Sequence, residues 1–256
     1  MSDERVETEL RGSVLWITLA DEERRNALNP ELVSDLVAAL DAADADPAVR
    51  VVVLSNRGSV FCAGANLRAD RSEPATPVPP GLYTRFARSP KPYVGRIAGH
   101  CVAGGVGLAA AVDICVAADD VLFGFTEVRV GVAPAMISVV CLPKLRTADA
   151  RQALLRGRRF PAAEAARIGL IATAVPRDGL DAEVDAVVGD LLAGGPIALG
   201  ATKQLLDRVP HLPVDEASAW TAQLSAELFS SAEAREGMAA YVEKRPAAWR
   251  PLPGAD

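Results

Sequence analysis

Histidine is nearly absent from this chain, with His100 and His211 alone among 256 residues. A zinc centre built on imidazole ligands has little to draw on. Cysteine is scarce too. Cys62, Cys101, Cys115 and Cys141 form no C-x-x-C pair and sit in apolar surroundings, so buried free thiols are expected rather than a disulfide framework or a metal site. No G-x-S-x-G occurs, which leaves a nucleophile elbow unsupported. No uninterrupted apolar run approaches the roughly 20 residues of a membrane helix. The opening MSDERVETEL has no apolar core of a secretory signal, so no membrane association is expected and the expected location is the cytoplasm. Nor is there a basic surplus. With 27 Lys and Arg against 33 Asp and Glu, the formal charge is −6, and a nucleic-acid footprint is not expected. Two arginine clusters, ERR at 23–25 and RGRR at 156–159, remain available to a phosphorylated ligand or as solvated surface.

What is present is an ordinary apolar share. Half of the residues are hydrophobic, and the length suffices for one large domain or two small ones with a sizeable core. VETELRGSVLWITLA reads as a hairpin over residues 6–20. NPELVSDLVAALDAADAD reads as a helix capped by Asn29, with Pro30 in its first turn. VRVVVLS (49–55) is a continuous β-branched run, the signature of a buried parallel strand. RADRSEPATPVPPGL carries Pro74, Pro77, Pro79 and Pro80; it is expected to be irregular, either a surface loop or a lid. KPYVGRIAG and DICVAA are two further strands, with a glycine-rich helix between them. VLFGFTEVRVGVAP holds a short strand and a turn. From about residue 147 the pattern becomes largely helical, interrupted by the short strand LIATAVP. The class is α/β. We divide the chain into a β/α core over residues 1–195 and a helical region over 196–256.

The stretch AGHCVAGGVGLAAAVDICVAADD (98–120) has glycines where a helix begins and no acid before Asp113. Gly105–Ala110 fits the dinucleotide fingerprint G-x-G-x-x-A, but HCVAG intervenes where that fingerprint joins its strand. A second reading joins two loops. FCAGAN follows one buried strand and VAGGVG the next, so both are expected at the C-terminal edge of one parallel sheet. Small side chains there leave backbone N–H groups open, and two converging N–H groups, one at a helix start, make an oxyanion hole.

RRNALN (24–29), FCAGANL (61–67), GHCVAGGVGLAAAVDI (99–114), FTEVRVGVAP (125–134) and EGMAAYVEKRPAAW (236–249) occur in this order. Together they resemble the crotonase superfamily of enoyl-CoA hydratases and isomerases, over essentially the whole chain. The resemblance implies a spiral of β-β-α turns and a C-terminal helical trimerisation region, often assembled as a homotrimer or dimer of trimers. It implies an acyl-CoA thioester ligand, whose coenzyme A is part of the substrate, with no metal or redox cofactor. By motif match, the backbone N–H groups of Ala65 and Gly104 hold the thioester oxygen. Ala63, Gly64, Asn66 and Leu67 fall in the family's CoA-contacting loop, with Asn66 where an aspartate is common. Arg24 and Arg25 fall where CoA phosphates are contacted, and Lys244 where a neighbouring subunit's adenine end lies.

The acid–base residues are where this chain departs from the family. Many hydratases of the family use two glutamates. One position is Gly107 here, which leaves it as a lining residue of the substrate site; the other is Glu127. Two carboxylates let one position water while the other moves its proton. With Glu127 alone, three activities stay open: a single-glutamate hydratase acting on a trans-2-enoyl-CoA, an isomerase moving a double bond between the β,γ and α,β positions, and a CoA-binding protein with little catalysis. His100, Asp113, Asp70 and Glu73 are the available stand-ins. Asp113 is expected to satisfy backbone or a buried arginine, and Glu127 to have a raised pKa if its pocket is apolar.

Overall fold

The computed structural model describes residues 5–65, 78–79 and 81–250. The chain opens with strands β1 (Val6–Arg11) and β2 (Val14–Leu19), an antiparallel hairpin turned at Gly12, where φ is +57°. Helix α1 (Pro30–Ala45) follows. Asn29 caps it by accepting the Leu32 N–H, and Leu32, Leu36, Leu40 and Ala43 form its buried stripe. Strands β3 (Val51–Asn56) and β4 (Val60–Cys62) come next, then the single turn α2 (Arg85–Arg88). After it lie β5 (Tyr93–Ile97), β6 (His100–Val102) and α3 (Gly104–Ala111), and then β7 (Ile114–Ala118), β8 (Leu122–Gly124) and α4 (Ala135–Cys141). The rest comprises α5 (Thr147–Arg156), β9 (Arg159–Pro161), α6 (Ala162–Arg167), β10 (Thr173–Val175), α7 (Leu180–Ala193), α8 (Pro196–Arg208), α9 (Val214–Ser230) and α10 (Ala232–Glu243).

Two sheets result. The larger has the order β1-β2-β3-β5-β7-β10, parallel from β2 onward. All six residues of β3 are buried, which is why Val51–Leu54 run apolar without alternation before the buried polar pair Ser55 and Asn56. The smaller sheet has the order β4-β6-β8-β9, with β4, β6 and β8 parallel and β9 antiparallel. Each spiral turn therefore gives one long strand to the large sheet and one short strand to the small one. This is the crotonase fold expected from the motifs.

The short strands β4, β6 and β9 are the part the sequence pattern did not show, whereas β8 and β10 fall in the short strands expected within VLFGFTEVRVGVAP and LIATAVP. HCV at 100–102 is a strand of the second sheet and not merely a lead-in to the glycine-rich helix. It separates the strand end from Gly105, the departure that already weakened the dinucleotide fingerprint. The two glycine-containing loops consequently follow β4 and β6 of the small sheet, not β3 and β5 directly. Helix α4 was also not anticipated.

Helix α8 is tied into the spiral by a buried cation. Lys203 Nζ donates to Phe86 O (2.8 Å), Lys91 O (2.7 Å) and Asp113 Oδ2 (2.7 Å). Asp113 also accepts the Tyr93 N–H at 2.7 Å. The expected arginine partner of Asp113 is thus corrected to a lysine, supplied from 90 residues further along the chain.

Candidate active site

Three neighbouring parallel strands, β4, β6 and β8, end at Cys62, Val102 and Gly124. Just beyond these ends lie Ala65, Gly104 and Glu127. Small-sheet topology is what brings the three motifs to one edge.

The Ala65 loop is fixed from the N-terminal side. Asn26, buried and with φ of +50°, donates its side-chain amide to Val60 O at 2.8 Å. Arg25 O accepts the Ala63 N–H (3.2 Å), and Leu28 N donates to Gly64 O (2.8 Å). Leu28 and Ala65 form an isolated parallel bridge. RRNALN is therefore a clamp on the loop that presents Ala65. Arg24 and Arg25 are exposed beside it, and Arg24 makes a loose ion pair with Asp21 at 3.4 Å.

The same loop lies against the start of α3. A Cβ on Gly64, whose φ is +79°, would stand 2.7 Å from Ala103 Cβ and 2.9 Å from Gly104 N. Only glycine supports both the turn and this approach. Ala103 precedes α3 with φ +49° and ψ −120°, and its N–H donates to Gly124 O at 2.9 Å. Gly104 is the first helical residue, so its N–H has no partner within the helix. Among the described residues, neither the Ala65 nor the Gly104 N–H donates to another backbone carbonyl.

Glu127 opens a short 3-10 turn over Glu127–Val130, closed by Gly131 in the left-handed region. Its residue exposure is 9 %, and its Oε2 is buried without a hydrogen-bond partner. Burial raises its pKa above the ordinary value, against a smaller lowering from its own backbone N–H. A carboxyl left in this state takes up and releases protons at higher pH than a surface glutamate.

Gly107 is buried, and its flank is already filled. A Cβ there would meet Ile137 Cγ2 at below contact distance, Tyr83 Cε1 at 2.8 Å and Ile137 Cβ at 2.9 Å. Tyr83 also reaches Gly104, with its Oη 2.9 Å from the Cβ position of that residue, where Leu28 Cδ1 lies at 2.7 Å. Tyr83, Ile137 and Leu28 were not singled out from sequence. Tyr83 follows the proline-rich stretch with no motif around it, and Ile137 lies on the unforeseen α4.

The remaining candidates fall elsewhere. His100 Nδ1 accepts the Leu122 N–H at 3.0 Å, a link between β6 and β8. Asp113 is engaged by Lys203. Lys244 ends α10 in a left-handed cap. Asn66, Leu67, Asp70 and Glu73 lie outside the described residues, as does nearly all of the expected lid. Among the described residues, no group of three His, Cys, Asp or Glu side chains is placed to hold a metal ion. No single helix there is long and apolar enough to cross a membrane.

Unpaired N–H groups at one sheet end and a buried carboxyl of raised pKa are what enolate chemistry requires: a place for negative charge and a group to move the proton. The fold and this arrangement define the class as crotonase-like. The family model described as enoyl-CoA hydratase/isomerase matches residues 9–251, and the chain belongs to that family. It is 32 % identical over 252 residues to enoyl-CoA hydratase EchA19 of Mycobacterium tuberculosis, covering 93 % of each chain. It is 29 % identical to (E)-benzylidenesuccinyl-CoA hydratase of Thauera aromatica, over 96 % of this chain and 98 % of that one. The crystal structure of an enoyl-CoA hydratase from Mycobacterium smegmatis superimposes with a TM-score of 0.89 at 28 % identity, over 96 % of this chain and 99 % of that one.

Proposed function

We propose that this protein is an enoyl-CoA hydratase that adds water across the double bond of a trans-2-enoyl-CoA. Ala65 N–H and Gly104 N–H bind the thioester oxygen, and Glu127 is the acid–base residue. The observation that carries this reading is the buried, unpartnered Oε2 of Glu127 at the end of β8, next to the ends of β4 and β6. Water oxygen bonds to C3, and the π electrons move to the thioester oxygen as an enolate. The Glu127 carboxylate takes one water proton and returns it to C2 as the enolate collapses. Each N–H donor to such an oxygen is worth about 3–4 kcal/mol of barrier. The positioned acid–base group adds about 10²–10⁴-fold.

Ala63, Gly64, Asn66 and Leu67 contact the CoA moiety in this reading, and the exposed Arg24 and Arg25 meet the CoA phosphates. Enolate stabilisation by N–H groups needs no metal or redox cofactor. The helical region supplies the surface for a homotrimer or dimer of trimers. Val214, Phe229, Tyr241 and Val242 support this, being 83, 69, 86 and 79 % exposed in the single chain. The four buried free thiols fit a reducing compartment such as the cytoplasm.

A second reading has a specific observation in its favour. The filled space beside Gly107 leaves one carboxylate, and one base is enough to move a proton between C2 and C4 in an enoyl-CoA isomerase. Incubation with a trans-2-enoyl-CoA and with a 3-enoyl-CoA, followed by mass and double-bond position, separates the two. Gain of one water supports the hydratase. Migration without mass change supports the isomerase, and neither product indicates a CoA-binding protein without catalysis.

A further inference from the structure

Tyr83 spans both site glycines of α3. Its Cε1 lies 2.8 Å from the Cβ position of Gly107, and its Oη lies 2.9 Å from the Cβ position of Gly104. The ring thus occupies the space above α3 that a longer side chain at 107 would enter, and it carries a hydroxyl to the helix start. Ile137 packs against the same point beside Gly107, with its Cβ at 2.9 Å, so the ring is confined there. The residue is 3 % exposed. Burial foremost, and the nearby Cys62, Cys141 and Glu127, raise the phenol pKa. The hydroxyl therefore stays protonated and acts as a hydrogen-bonding group, not as a base.

We propose that Tyr83 is a catalytic residue whose hydroxyl holds the attacking water, on the flank where Gly107 supplies no side chain. The inference rests on the hydratase reading above. One O–H of the water donates to Tyr83 Oη and the other to the Glu127 carboxylate, which directs the oxygen lone pair at C3. The water oxygen bonds to C3 as its proton passes to Glu127, the π electrons move to the thioester oxygen, and Glu127 returns the proton to C2. Tyr83 neither gains nor loses a proton in the cycle.

Tyr83→Phe keeps the ring that fills the space, so the fold is retained. Two rates separate the roles. Hydration of a trans-2-enoyl-CoA needs the positioned water. Exchange of the C2 hydrogens of a saturated acyl-CoA with D2O needs Glu127 and the oxyanion donors but no bond at C3. The expected result for Tyr83→Phe is a kcat for hydration lower by about 10–100-fold, the effect of losing one hydrogen bond to a reacting group. KM should stay within a few-fold, and C2 exchange within about two-fold. Parallel loss of both rates assigns Tyr83 to the enolate or to packing and overturns the proposal, as does unchanged hydration. Exchange without hydration in the unsubstituted protein overturns it while leaving the role of Glu127 intact. Absence of both in the unsubstituted protein contradicts the hydratase reading itself.

Discussion

Ile137 stands over Gly107: its Cβ lies 2.9 Å from the point a Cβ at position 107 would occupy, with Tyr83 Cε1 2.8 Å from the same point. The missing second glutamate is therefore a matter of packing as well as of identity. Gly107→Ala should destabilise the fold by about 1–3 kcal/mol through overpacking, although alanine favours helix by about 1 kcal/mol. Urea unfolding measures it. In an Ile137→Ala background the same substitution should cost clearly less, because the two residues share one volume. Strict additivity would show that the crowding is not felt.

Gly64 and Gly104 make the corresponding close approach between the two loops that carry the proposed backbone donors. Gly64→Ala forces a side chain into φ +79° and toward Ala103 and Gly104 N. It should lower kcat/KM by about 10²-fold, the effect of displacing one oxyanion donor, and should lower Tm. Ala103→Gly is the contrasting case. It relieves φ +49° and is expected to be neutral or to gain up to about 1 kcal/mol.

The pH dependence follows from the burial of Glu127. Its pKa in the fold is raised above 4.5, so the acid limb of kcat/KM should lie above that value, where the carboxylate is lost as pH falls. Stability runs the opposite way. A raised acid favours the protonated fold, so this contribution is fully present below the unfolded pKa and is lost as pH rises through the folded one. Glu127→Gln should therefore gain stability relative to the unsubstituted protein on going from acid to neutral pH, as read by denaturant unfolding at both.

Lys203 is the anchor of α8. Lys203→Met leaves Phe86 O and Lys91 O without their donor and Asp113 without its cation. Breaking a buried pair costs about 3–5 kcal/mol. The lower end is expected here, because the Asp113 side chain is 26 % exposed and keeps some water. Chemical denaturation gives the value, and Lys203→Arg should not restore it, since a planar guanidinium does not reproduce three bonds from one nitrogen.

The long strands, α1 and the helical character of the chain from about residue 147 were legible because each carries its own periodicity or cap. Ala65, Gly104 and Glu127 were pointed to by the resemblance of their motifs to the crotonase superfamily, and the fold sets the three just beyond the ends of β4, β6 and β8. The three-residue strands β4, β6 and β9 are too short for any alternation to register. They nevertheless set the geometry, since β4, β6 and β8 deliver the site to one edge. Tyr83 and Ile137 were not legible for a related reason. Both pack beside a glycine more than 20 residues away in sequence, and only the folded packing shows it.

In the proposed mechanism Glu127 is the proton-moving group of an enolate-stabilising site. The direct measurement is C2 hydrogen exchange of a saturated acyl-CoA in D2O, alongside hydration of a trans-2-enoyl-CoA, for the unsubstituted protein and for Glu127→Gln. Both rates should fall by about 10²–10⁴-fold in Glu127→Gln while acyl-CoA affinity stays within a few-fold. Full activity of Glu127→Gln in either assay would contradict it.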